Sequence, residues 1–205
     1  MKTKKIQISV VMLLITFFVM ACQDGNLISP EESINNQKIS SISNDGSMLT
    51  PGDLSDEERD GLIFMRNEEK VSRDVYIFFG DLYNYQVFLN IRQSEETHMI
   101  AVKRLLDRYD IPDPVDPNNI GVFADPAFQQ MYDEFILQGQ NSLNEALLVG
   151  KAIEEADISD LQFQLTFVDN QDLINVYQNL LDASENHLIA FQKCLIKSID
   201  ALHYD

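Results

Sequence analysis

Four stretches of the chain repeat apolar residues at the three- and four-residue spacing of a helix that buries one face. In the first, over 55–81, Leu62, Met65, Ser72, Tyr76 and Phe79 fall on one stripe. The second, over 86–109, carries Phe88, Ile91, Val102 and Leu105. The third, over 142–168, carries Leu143, Leu147, Gly150, Ile153 and Leu161. The fourth, over 171–202, carries Val176, Leu180, Ala183, Phe191 and Cys194. Ser55 followed by Asp56, Glu57 and Glu58 supplies an N-cap and acids for the first turn. Ile111-Pro112-Asp113-Pro114 stops the second helix, and Asp169-Asn170 turns the chain between the last two. A Pro-, Asn-, Gly- and Asp-rich stretch runs to Pro126, and a short helix is expected over 127–137. No two-residue strand alternation occurs. The pattern predicts an all-α four-helix bundle, each helix of roughly 25 residues and about 37 Å, with a long crossover between helices 2 and 3.

Each stripe is interrupted near its middle by residues that a bundle core rarely holds, because a buried charge is costly unless it is paired or bound to a metal. Glu69 follows Met65 by four residues and precedes Tyr76 by seven, so the three share a face. Glu95 and His98 form a Glu-x-x-His between Ile91 and Val102, one helical turn apart. Glu154 and Asp157 lie between Gly150 and Leu161, and His187 lies between Ala183 and Phe191. Carboxylates with imidazoles suit iron and manganese, and zinc is compatible with the same donors. A Glu-x-x-His offers a terminal imidazole and a bridging carboxylate from one turn, as in the di-iron carboxylate bundles. Glu69, Glu95, His98, Glu154 and His187 are therefore expected to converge, with Asp157 close by and Tyr76 behind them. Glu68, Glu96 and Glu155, each beside one of these residues, are expected to face solvent.

Two hairpins joined by one long connection give the helix order of ferritin-like folds. Residues 54–195 resemble the ferritin-like family DUF2202, through FMRNEEKVSRDVY, SEETHMIAVKRLLDRYDIPDP, GVFADPAF, VGKAIEEADISDL and SENHLIAF in that order. Glu69, Ser72, Arg73 and Tyr76 also resemble the Glu-x-x-small-Arg-x-x-Tyr of rubrerythrin, and Glu154 with Asp157 resembles its paired carboxylates. The resemblance implies one or two iron ions and an oxidoreductase that oxidises Fe(II) or reduces oxygen or peroxide. It departs at Ser184, three residues before His187, where rubrerythrin-like proteins have Glu. Glu185 points elsewhere around the helix. That departure favours the alternative of a non-catalytic metal-binding or structural surface lipoprotein. No Cys-rich rubredoxin module is present, so a redox role implies an external electron donor, and a homodimer is compatible with the fold.

Lys2, Lys4 and Lys5 precede an uncharged apolar run from Ile6 to Ala21, shorter than the ~20 residues of a membrane span. The run reads as a signal peptide over 1–21, and Val19-Met20-Ala21-Cys22 resembles a bacterial lipobox with Cys22 as the lipidated residue. Gln23 after it favours sorting to the outer membrane. Residues 22–52, rich in Ser, Asn, Gln, Asp and Gly, read as a tether, and 53–205 as the folded domain. The expected product is an exported protein, lipid-anchored in the cell envelope. The formal net charge of −18 argues against nucleic acid as a partner, and leaves metal ions and a membrane. With Cys22 modified, Cys194 is the remaining cysteine, so no internal disulfide is expected.

Overall fold

Residues 54–202 are described in this computed structural model, with side chains described to Lys197, and they form five helices and no strand. The expected signal peptide (1–21), the tether (22–52) and Cys22 lie outside the described residues. The helices are α1 (Asp56–Tyr83), α2 (Gln86–Arg108), α3 (Pro126–Gly139), α4 (Leu143–Gln164) and α5 (Gln171–Leu202). None of them is long and apolar enough to cross a membrane.

The boundaries follow local chemistry. Ser55 and Glu58 form a reciprocal capping box at the start of α1. The other oxygen of Glu58 accepts the N–H groups of Asp169 and Asn170, tying the α4–α5 turn to that same end. Asn84 closes α1 in the left-handed region. Asp125 caps α3 ahead of Pro126, Ser142 caps α4, and the Asn170 side chain accepts from Asp172 at the start of α5. The third long helix ends at Gln164, short of the expected 168, because residues 165–167 close it as turns.

α1 pairs with α2 and α4 with α5, and α2–α5 and α1–α4 contacts close the bundle. The crossover between the hairpins carries α3, which packs on α1 and α4. It also covers the outer side of α1, so every residue from Met65 to Tyr76 is buried. That seam is ionic. Arg66 makes a bidentate pair with Asp113 at 3.0 and 2.9 Å. Lys70 donates to the carbonyls of Asn119 and Val122, and Arg73 to that of Pro117. Asp74 bonds both Lys70 and Arg73 and accepts from the Gly121 N–H at 2.8 Å. Gly121 sits at φ +74°, a conformation that side-chain-bearing residues rarely adopt.

Two apolar clusters fill the bundle. Leu62, Met65, Val102, Leu106, Leu161, Leu173, Tyr177 and Leu180 occupy one end. Val75, Tyr76, Phe79, Phe88, Ile91, Leu147, Ile153 and Phe191 occupy the other. On each long helix the residues between these clusters are the polar ones that interrupted the stripe.

Candidate metal centre

Four helices each deliver side chains to that middle layer. α1 brings Glu69, α2 brings Glu95 and His98, α4 brings Glu154 and α5 brings His187, and all but His187 are nine-tenths or more buried. The ligand atoms form two overlapping sets, Glu69–Glu95–His98 and Glu95–Glu154–His187, each with its atoms within 4.8 Å of one another. Glu95 belongs to both. Its Oε2 is 2.8 Å from His98 Nδ1 and its Oε1 is 2.9 Å from His187 Nδ1. Glu69 Oε2 is 3.2 Å from His98 Nδ1, and Glu154 Oε2 is 3.4 Å from His187 Nδ1. The two imidazoles stack with centroids 5.6 Å apart. All five residues expected to converge do so.

The surrounding residues hold these groups in place. The Tyr76 hydroxyl donates to Glu154 Oε1 at 2.7 Å, and Ser94 Oγ lies 3.4 Å from His98 Nε2, the ring nitrogen turned away from the carboxylates. Gly150 lets Phe191 pack against α4 next to Tyr76, since a Cβ at this position would meet that ring at 2.4 Å. Asp157 is buried beside the cluster but belongs to neither set, and its Oδ2 accepts from the Ser72 hydroxyl. Ser184 is buried one turn before His187, and Glu185 is exposed, so among the described residues no carboxylate from α5 joins the site.

The electrostatics are those of crowded acids. Burial pushes Glu69 up to about 8 against the pull of His98, with Glu95 repelling it. Burial likewise pushes Glu154 to about 7 against His187, with Glu95 again repelling. Asp157 is driven well above the carboxylate range by burial and by Glu68, Glu154, Glu69 and Glu95. Burial alone would raise Glu95, but the flanking His187 and His98 outweigh it and hold Glu95 at about 2. Burial disfavours the charged imidazoles, yet the carboxylates lift His98 to about 11 and His187 to about 9. Bound protons thus offset the charge in this layer, and a cation would displace them.

The hydrogen bonding also fits a cation. Glu95 Oε1 and Glu154 Oε2 lie 2.9 and 3.4 Å from His187 Nδ1, yet none of these three buried atoms makes a well-directed hydrogen bond, and all three belong to one ligand set. A buried polar atom without a partner costs about 1–3 kcal/mol. Three converging on one point is the arrangement a divalent ion satisfies. Mixed carboxylate and imidazole donors suit iron, manganese or zinc.

Two features were not anticipated from the sequence. Glu68, expected to face solvent, is 5% exposed. It lies against Asp160 of α4, and burial together with Asp160 raises its pKa well above the usual range. The three-residue spacing of Glu154, Asp157 and Asp160 was the available signal, since it places three acids along the α4 face that meets α1. Glu96 and Glu155 are exposed as expected, paired with Arg73 and Lys151. The second unanticipated feature is the buried ionic seam under the crossover.

Comparison with known proteins finds relatives of this chain. A family model described as an uncharacterized protein domain, DUF2202, matches residues 58–200. The uncharacterized protein MJ0754 of Methanocaldococcus jannaschii is 46% identical over 149 residues, covering 73% of this chain and 80% of that protein. The crystal structure of the hypothetical protein MJ0754 from Methanococcus jannaschii superposes with a TM-score of 0.69 at 43% identity, covering 78% of this chain and 87% of that one.

Proposed function

The chain belongs to the DUF2202 family, and we propose that its bundle holds two divalent cations, one in each ligand set, with Glu95 bridging them. The observation that carries the reading is the sharing of Glu95 between two buried sets, one of which has a ligand atom without a hydrogen-bond partner on every member. The arrangement is that of a ferritin-like di-metal carboxylate site. Iron is the favoured occupant, and bound there it would supply one-electron chemistry toward oxygen or peroxide. The protein's own part is positional. Tyr76 fixes one oxygen of Glu154 and leaves the other directed at the site. Ser94 faces His98 Nε2, which keeps Nδ1 available as the donor. The two cysteines of the chain are too few for a four-thiolate iron centre, so reducing equivalents for turnover would come from another molecule.

Ser184 supports a second reading, metal capture without turnover. It is buried at the position where rubrerythrin-like proteins have a further bridging carboxylate, and Asp157 is engaged with Ser72 instead of replacing it. Elemental analysis of the domain purified without added metal separates the two. Two irons per chain are expected, and a Glu95→Ala variant that still folds should retain neither. A single zinc would favour capture. A protein that takes up no metal from Fe(II) or Mn(II) solution would end both readings.

A further inference from the structure

The acids nearest the site that do not belong to either ligand set form a line that ends at Glu154, a member of one set. On α4, Asp160, Asp157 and Glu154 are spaced three residues apart, so each stands one turn below the last. Asp160 is half-buried, Asp157 is 3% exposed and Glu154 is fully buried. Glu68 of α1 lies opposite, against Asp160 and near enough to Asp157 for the two to repel. Its Oε2 is buried without a hydrogen-bond partner. Among the described residues, none of these acids is paired with a lysine or arginine. The buried cations of α1 (Arg66, Lys70 and Arg73) are engaged with Asp113, Asp74 and Glu96 instead.

We propose that divalent cations reach the site along this carboxylate ladder, entering at Asp160 and passing Glu68 and Asp157 to Glu154. The inference rests on the metal-binding reading above. Asp160, Glu68 and Asp157 do not form a third set converging on one ion, so they hand a cation inward and do not retain it. A half-buried carboxylate at the outer end concentrates cations and raises their rate of association, and the buried acids behind it offer oxygen donors along the way.

Stopped-flow absorbance of Co(II) uptake by the metal-free protein at low ionic strength tests the route. Asp160→Asn and Glu68→Gln should slow uptake about tenfold, while final cobalt stoichiometry and the cobalt spectrum stay as in the parent. Glu155→Gln removes one carboxylate from an exposed position on α4 and should leave the rate unchanged. Parent-like rates in both ladder variants would overturn the route and place entry at the His187 edge. Equal slowing by Glu155→Gln would reduce the effect to net charge and overturn it as well. Loss of cobalt stoichiometry in Glu68→Gln would make Glu68 a ligand, also against the proposal. A parent protein that binds no Co(II) would remove the metal-binding reading itself, so the two failures are distinguishable.

Discussion

Two buried polar clusters flank the same stretch of α1, and they differ in whether the protein satisfies them. Toward the crossover, Arg66, Lys70 and Arg73 meet Asp113, Asp74 and Glu96, three cations against three carboxylates, and backbone groups of residues 117–122 take further bonds. Toward the bundle interior, Glu68, Glu69, Glu95, Glu154 and Asp157 face only two imidazoles, and buried ligand atoms go without partners. Arg66, Lys70, Arg73 and Asp74 are as buried as the interior acids, with only Glu96 half-exposed and Asp113 partly so at the rim, so burial alone does not distinguish the two clusters. The difference is closure: the first neutralises itself, and the second requires protons or a cation from outside. A buried cluster that the fold has completed serves structure, and one it has left incomplete points to a ligand.

The comparison breaks most visibly at Asp74. This carboxylate binds Lys70, Arg73 and the Gly121 N–H at once, and its side chain is inaccessible to solvent. Asp74→Ala strands buried cations, which costs about 3–5 kcal/mol, a fall in Tm on the order of 10 °C. Calorimetry should show that loss with and without metal alike. A fall confined to the metal-bound protein would mean that the seam serves the site and not the fold.

The same contrast explains what the sequence disclosed. Apolar periodicity identifies the face a helix turns to its partners, so polar residues on that face stand out, and Glu69, Glu95, His98, Glu154 and His187 were legible for this reason. The helix order was legible because caps and prolines punctuate the stripes. Arg66, Lys70, Arg73 and Asp74 look like an ordinary solvated face, because their cover is a crossover without apolar period. Glu68 was misread for a related reason. It is next to the stripe, and only the approach of α4 with Asp160 buries it. Periodicity reports one face per helix, and α1 is covered on all sides from Met65 to Tyr76.

The incomplete cluster should also be the one that responds to pH. In the metal-free protein Glu154 and Glu69 hold their protons to about 7 and 8, above the ordinary 4.5, so the folded state binds protons that the unfolded chain releases. Their stabilisation is complete below about 4.5 and is lost as pH rises through those values. The imidazoles act in the same direction, since raising His187 to about 9 and His98 to about 11 stabilises the fold below 6.5 and the gain fades above it. Glu95, held at about 2, stays ionised throughout this window. Urea midpoints of the metal-free domain should therefore fall between pH 6.5 and 8, by about 1.4 kcal/mol per pH unit for each proton involved. Glu69→Gln should flatten the slope, and saturating metal should reverse it, because metal binding competes with protons. A flat profile in the parent would show that the cluster is closed after all.

The smallest expected effect tests how finely the site is arranged. Tyr76 donates to Glu154 Oε1 at 2.7 Å, while Oε2 of the same carboxylate points at His187 without a hydrogen-bond partner. Its ring packs between Phe88 and Phe191, so Tyr76→Phe keeps the apolar contacts and deletes the hydroxyl's bond to Glu154 with its longer, 3.3 Å contact to the Gly150 carbonyl. If the hydroxyl only satisfied a buried acid, its loss would lower stability equally with and without metal. If it orients Glu154 as a ligand, the cost grows when the carboxylate is ionised and metal-bound, because a hydrogen bond to a charged group contributes about 1.5–3 kcal/mol against about 1 for a neutral pair. The difference should appear as metal affinity weakened about three- to tenfold, with metal-free stability lowered by only about 1 kcal/mol. Competition titration with a chelator, set beside urea unfolding of the metal-free variant, measures both quantities. Equal losses in the two would reduce Tyr76 to core packing and leave Glu154 to be held by its helix alone.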